Sequence, residues 1–359
     1  MHQPVTFGII GGGWRSTFFL QVARALPERF KVVGMLVRDA EKGAALAHTW
    51  GVPIVRSLDE LLGLDNLAFV VVSVSWSAAP GLLQELTQRN IPALTETPPA
   101  PDIAGLKALQ ALVKAKAKIQ VAEQYQFQPL HAARIALAQS GKLGTISQTQ
   151  VSIAHGYHGI SLMRKLLGVG FASPTITAQA FVSPIIAGPD RFNPPEREEI
   201  KASRQIIASL NFGGEKLGIF DFNDDQYHSW IRSPRLLVRG ERGEINGTHI
   251  CYLEDFRTPI TLELLRQNAG ENGNLEGYYL KGILAGTEWL YRNPFAPGRL
   301  NDDEIAVATC LEKMAVYIDG GPEFYGLAEA AQDHYLSIMI GQAVTEGATI
   351  VVKAEEWSN

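Results

Sequence analysis

The chain has 359 residues, more than one ordinary domain holds, so two domains are the first expectation. A formal net charge of -5 argues against a surface built broadly for nucleic acid. The 2 cysteines, Cys251 and Cys310, lie far apart with no CxxC or zinc spacing, which excludes a disulfide scaffold and fits a reducing compartment.

Along the first 125 residues, short apolar runs alternate with helical patterns. "VTFGII" (5–10) reads as a buried strand that begins too early to leave room for a charged leader. A helix follows over 17–26, ending before Pro27, then the strand "FKVVGMLV" (30–37) and a helix from Ala40. "AFVVVSVS" (68–75), "IPALTE" (91–96) and "KIQVAEQY" (118–125) continue the series. Between the last two, one helix is expected, N-capped by Asp102, with Leu106, Leu109 and Val113 on its apolar stripe. Strands apolar throughout and alternating with helices predict a doubly wound parallel sheet covered on both faces. None of these runs reaches the roughly 20 apolar residues of a membrane span. A cytoplasmic protein without membrane or nucleic-acid partners is expected.

After residue 126 the pattern changes. A helix over "PLHAARIALAQSGKLG" leads into runs with strand-like alternation, among them "TISQTQVSIA", "TITAQAFVSPII", "KLGIFDF" and "ICYLED". Loops are expected over 187–199 and 269–277, and helices near 302–318 and 326–346. The expected architecture is an α/β chain: a Rossmann domain over 1–125, and over 126–359 an α+β domain on a large, mostly antiparallel open sheet. An exposed sheet face predicts a homodimer or homotetramer.

"GIIGGGWRST" sets Gly11 and Gly13 between the first strand and first helix, followed by Trp14, Arg15 and Ser16. Glycine there allows a sharp turn and close approach of a pyrophosphate to the helix N-terminus, where free N–H groups and the helix dipole favour anions. Ser16 stands at the third glycine position, so the fingerprint is imperfect. The second strand ends at Val37, where an acidic residue would bind the ribose hydroxyls of NAD, followed by Arg38 and Asp39. Arg38 suits a ribose 2′-phosphate, with Arg15 as a possible helper, so NAD(P) is the expected cofactor with NADP favoured. Asp39 rotating toward the ribose is the competing reading.

Together, the glycine loop, "TETPPA" (95–100) and "HGYHGISLMRKLLG" (155–168) resemble the Gfo/Idh/MocA family of glucose-fructose oxidoreductase-like and inositol dehydrogenase-like proteins. The resemblance implies a Rossmann domain, then an α/β domain whose open sheet often forms the oligomer interface. It also implies sugar-like or polyol substrates oxidised or reduced with NAD(P). The family's Glu-Lys-Pro falls on Glu96, Thr97 and Pro98, so Thr97 replaces the catalytic lysine. Its Arg-Phe-x-Pro falls on Gln126 to Pro129, and its Asp-x-x-x-His on Ala154 and His158. Ser75, Trp76, Glu96 and Gln124 correspond to cofactor-facing positions.

An imidazole titrates near pH ~6.5 when unperturbed, so His158 suits an acid/base role, with His155, Tyr157 or Glu123 as candidates to orient it. A structural histidine satisfied by backbone is the alternative, favoured for His155. No acidic third ligand stands nearby, so no metal is expected. Arg164 and Lys165 read as a solvated helix face. The expected function is hydride transfer on a sugar-like or polyol substrate, with catalytic candidates His158, Tyr157, His155 and Thr97. A catalytically silent NAD(P)-binding sensor is the alternative.

Overall fold

A computed structural model describes residues 3–274 and 277–358. Its first sheet holds β1 (Val5–Ile10), β2 (Phe30–Leu36), β3 (Ile54–Val55), β4 (Phe69–Val72), β5 (Ala93–Thr95) and β6 (Ile119–Val121), in the order β3-β2-β1-β4-β5-β6. The pairings are parallel throughout. A parallel sheet must be covered on both faces, which is why Phe7, Ile9 and Phe69–Val72 are apolar and buried without alternation. Strand order reverses between β1 and β4, and the carboxyl ends of strands open a ligand crevice at such a switch point.

The second sheet holds β7 (Ile146–Ser152), β8 (Thr175–Ile186), β9 (Ile200–Gly213), β10 (Lys216–Asn223), β11 (Arg235–Gly240) and β12 (Gly243–Asn246). It continues with β13 (His249–Leu253), β14 (Pro259–Ala269), β15 (Tyr279–Ala285), β16 (Glu288–Arg292) and β17 (Ile350–Val351). Their order is β16-β15-β14-β13-β12-β11-β7-β10-β9-β8-β17, mostly antiparallel, with β7 and β10 parallel. The helix Gly156–Leu167 packs on β7 and β10. Two glycines permit the approach: a Cβ at Gly218 would meet Met163 Sδ at 2.1 Å, and one at Gly159 would meet Phe220 at 2.7 Å.

The compact units divide the chain differently from the expected boundary at residue 125. The first runs to His131 and adds Arg266–Gly282 and Arg292–Ala331; the second holds Ala132–Leu265, Ile283–Tyr291 and the chain from Gln332. The reason is the helix Asp302–Ile318, which returns to pack on the helix Ser16–Ala25, with Arg29 pairing Glu312. Asn301 and Glu304 close a capping box at its start.

Local differences have physical causes. The expected helix after Asp102 breaks at Leu109 into Ile103–Ala108 and Gln110–Lys114, and the break turns Leu112, rather than Val113, into the core. Asp102 caps as expected, accepting from Gly105 N at 2.8 Å. The loop expected over 269–277 starts after β14, and its residues 275 and 276 lie outside the described residues. Arg164 is not on a solvated face. It is buried, pairs with buried Asp333 at 2.6 Å, and donates to Gly170 O at 2.9 and 2.7 Å; Lys165 is exposed as expected. Among the described residues, no helix is long and apolar enough to cross a membrane.

Removing one partner of a buried ion pair strands the other charge away from water. Asp333→Ala should therefore destabilise the protein by about 3–5 kcal/mol, read as a lowered urea midpoint.

Candidate functional site

The glycine loop is built from two different steric demands. Gly11 has φ +112°, and a Cβ there would sit 2.0 Å from Ser73 O, so the fold itself requires glycine. Its N–H donates to Leu36 O at 3.0 Å, tying the loop to the end of β2. Gly13 is different: a Cβ there would meet no atom within 4 Å. The protein's own packing gives no reason for glycine at 13, whereas a pyrophosphate lying against the backbone does. The helix Ser16–Ala25 begins directly after, and Ser16 is buried with Oγ donating to Gly11 O at 3.1 Å. Trp14 is half exposed and meets Phe18 edge-on.

Arg15 leaves this loop toward β5 and β6. Its Nε donates to Glu96 Oε1 at 2.8 Å, and its NH2 group donates to Gln124 Oε1. Gln124 Nε2 in turn donates to Asp303 Oδ1 at 2.8 Å, as does Gln128 Nε2 at 2.7 Å. Burial works against the Arg15 charge, but Glu96 and Asp303 outweigh it and hold the guanidinium above its ordinary value. Arg15 therefore does not join Arg38 at the end of β2, as the sequence had suggested; the part-buried Glu96 side chain claims it. Thr97 follows Glu96 directly, and its peptide bond to Pro98 is cis.

At the end of β2, Val37 is buried and Arg38 exposed. Asp39 caps the helix Ala40–Trp50, accepting from Lys42 N at 2.9 Å, so its carboxylate is engaged at the helix end. Arg56, which sequence reasoning missed, donates to Val37 O at 2.8 Å and Asp39 O at 3.0 Å, adding a second cation here. Beyond β4, Ser75 and Trp76 are exposed, with Ser75 Oγ 3.2 Å from Ser77 Oγ. Gln126, past β6, buries an Nε2 with no hydrogen-bond partner among the described residues. A buried donor of this kind is costly unless something accepts from it.

In the second unit, Ala154 is buried, His155 stands at the N-cap position of the helix Gly156–Leu167 without a side-chain capping bond, and Tyr157 and His158 lie in its first turn. His155 Nδ1 is 2.6 Å from Tyr227 OH, and its backbone N–H donates to the same oxygen at 2.9 Å. The Tyr227 hydroxyl thus holds both the backbone and the ring of His155 in place. Burial, aided by the His158 and His334 rings, pushes His155 down to about 4. His158 is only half-buried, with Tyr157 and His155 ring centroids at 4.4 and 5.1 Å. Tyr157 also meets His334 at 5.5 Å. Tyr227 and His334 carried no signal in the sequence, because both come from distant segments. Glu123, the other orienting candidate, belongs to the first unit, where it accepts from Tyr125 N at 3.0 Å. Among the described residues, no group of His, Cys, Asp and Glu suits a metal ion.

Comparison with known proteins bears on the fold. Residues 5–125 match the model of an oxidoreductase family with an NAD-binding Rossmann fold, Gfo/Idh/MocA. No curated protein sequence matches the chain. Among solved structures, a levoglucosan dehydrogenase in complex with NADH and levoglucosan is 15% identical, with TM-score 0.70, covering 98% of this chain and 100% of that one. A myo-inositol dehydrogenase from Corynebacterium glutamicum is 17% identical, with TM-score 0.66 over 98% and 100%. An Agrobacterium radiobacter oxidoreductase, in complex with NAD+, L-tartaric acid and magnesium, is 14% identical, with TM-score 0.67 over 97% and 98%. At such identities these likenesses establish the fold. The family match is confined to residues 5–125, so it is the N-terminal domain that is similar to the NAD-binding domain of the Gfo/Idh/MocA oxidoreductases.

Proposed function

We propose that the protein is an NAD(P)-dependent oxidoreductase acting on a CH–OH group of a sugar-like or polyol substrate. The observation that carries this reading is Gly13, a glycine the fold does not need, beside a helix N-terminus that favours a diphosphate. The solved structures named above include dehydrogenases of a sugar derivative and a polyol, which supports the substrate class. Bound nicotinamide accepts or supplies the hydride. The chain's own residues hold the cofactor and move the proton.

NADP is favoured. Val37 offers no carboxylate to a ribose 2′-hydroxyl, Asp39 is engaged as a helix cap, and Arg38 with Arg56 supplies positive charge where a 2′-phosphate would lie. Trp14, Ser75, Trp76, Glu96 and Gln124 complete the cofactor contacts, and an oxygen of a bound ligand would satisfy the buried Gln126 amide. Thr97 donates one neutral hydrogen bond and no charge, so the proton falls to His158, the half-buried histidine of its cluster. Tyr157 packs against His158, and His155, kept neutral, fixes the ring beside it. The exposed apolar residues Phe181, Val182, Ile186 and Ile200 of β8 and β9 support a homodimer or homotetramer assembled there. The residues at 97, 126 and 154 also support a second reading, a catalytically silent sensor of NAD(P).

Four measurements test this. Incubation with NADP, NAD and their reduced forms over a panel of sugars, polyols and keto-sugars should change absorbance at the nicotinamide band. His158→Gln should lower kcat by about 10²–10⁴-fold. Cofactor binding with no turnover on any substrate would replace the oxidoreductase with the sensor. Gly13→Ala should weaken cofactor binding in calorimetry while leaving Tm near the parent value, since a Cβ there meets no atom within 4 Å. Between pH ~6.5 and about 4, the unfolded chain binds a proton at residue 155 that the folded chain refuses. Stability should thus be full above that window and fall as pH drops through it, and His155→Asn should reduce the fall in urea midpoint.

A further inference from the structure

We propose that Cys251 is the nucleophile of a thiol-exchange site on the second sheet, taking small zwitterionic disulfides. The site lies in the second unit and is independent of the nucleotide chemistry. Residues 249 and 251 are two apart on β13 and so share one face of the sheet. His249 stands opposite Glu263 of β14, while Cys251 stands opposite Thr261 there and Glu244 of β12. Their neighbours Ile245, Ile250 and Leu264 point the other way and are buried, which leaves this face polar and accessible.

On this face the side chains form a relay. His249 Nδ1 is 2.9 Å from Glu263 Oε1, and Cys251 Sγ is 3.2 Å from His249 Nε2. An ionised carboxylate only accepts, so Nδ1 carries the proton it donates to Glu263, and this bond is the chief cause holding the Glu263 carboxyl below its usual range. Nε2 is then left with a lone pair facing the thiol hydrogen. Nucleophile, base and orienting carboxylate stand in sequence, the arrangement that activates a weak nucleophile.

The thiol also opens into a pocket of about 370 Å³, lined among others by Arg239, Arg242, Glu244 and Tyr252. Arg239 Nε is held by Glu244 at 2.9 Å. Arg242 donates to the carbonyls of Leu253 and Glu254, both at 3.0 Å, which fix its position without cancelling its charge. Guanidinium groups beside a carboxylate recognise a molecule carrying both carboxylate and ammonium groups. In the reaction, the Cys251 proton passes to His249 Nε2 and the thiolate attacks one sulfur of the disulfide. The reagent's S–S bond breaks as the Sγ–S bond forms, and the departing thiolate takes the proton back from Nε2. A protein thiol and a disulfide thus become a mixed disulfide and a free thiol. Cys310 serves as an internal control, since it is fully buried and burial pushes its thiol up.

The folded full-length protein, incubated with oxidised glutathione, should gain one glutathione by intact mass, mapped to Cys251. The adduct should be absent in Cys251→Ser. His249→Asn, at an exposed position, should slow its formation ~10-fold or more, the scale of a lost general base. Hydroxyethyl disulfide, which lacks charged groups, should react more slowly than oxidised glutathione. No adduct on the folded protein, or an unchanged rate in His249→Asn, would overturn the relay. Equal rates with the two reagents would overturn the zwitterionic class.

Discussion

Gly11 is the point on which the first unit depends. Its backbone passes so close to the carbonyl of Ser73 that a methyl group would overlap it, and its N–H is spent on Leu36. One residue thus joins the ends of β1, β2 and β4 at the place where strand order reverses. An open parallel sheet has its ligand crevice there. The following residues can approach a diphosphate only because Gly11 has already turned the chain away from β1.

The same loop sends Arg15 across the strand ends to Glu96, and through Gln124 to Asp303. This network makes chemical sense of "TETP". Glu96 accepts from the part-buried Arg15 guanidinium, and Thr97 stands next to it without contributing a charge. Asp303 enters from the helix Asp302–Ile318, so a segment nearly two hundred residues later in the chain finishes the polar floor of the first unit. The cation of the glycine loop is committed inward, which leaves the adenosine end to Arg38 and Arg56.

In the second unit the helix Gly156–Leu167 does two jobs. Its glycine at 159, matched by Gly218 on β10, lets it lie close on the sheet, while buried Arg164 is locked to Asp333 and Gly170. A helix fixed this firmly holds its first turn still, and that turn carries Tyr157 and His158. Burial holds His155 neutral, and Tyr227 lies against its ring nitrogen.

The sequence by itself determined the alternation of strand and helix, the glycine loop, the Asp102 cap, the two late helices and the change to a mostly antiparallel sheet. These follow from local periodicity and turn chemistry, which act over a few residues. Thr97 and His158 came as candidates from the resemblance to a known family, not from periodicity or spacing. Only the tertiary structure decided the rest, because charge pairing and burial join residues far apart in the chain. Arg164 looked like a solvated cation until Asp333 met it; Arg15 looked like a partner for Arg38 until Glu96 took it. Leu109 ended a helix that its pattern would have continued, and Arg56, Tyr227 and His334 gained meaning only through their neighbours. Sequence carried the periodic part of the design, and folding alone set which charge meets which.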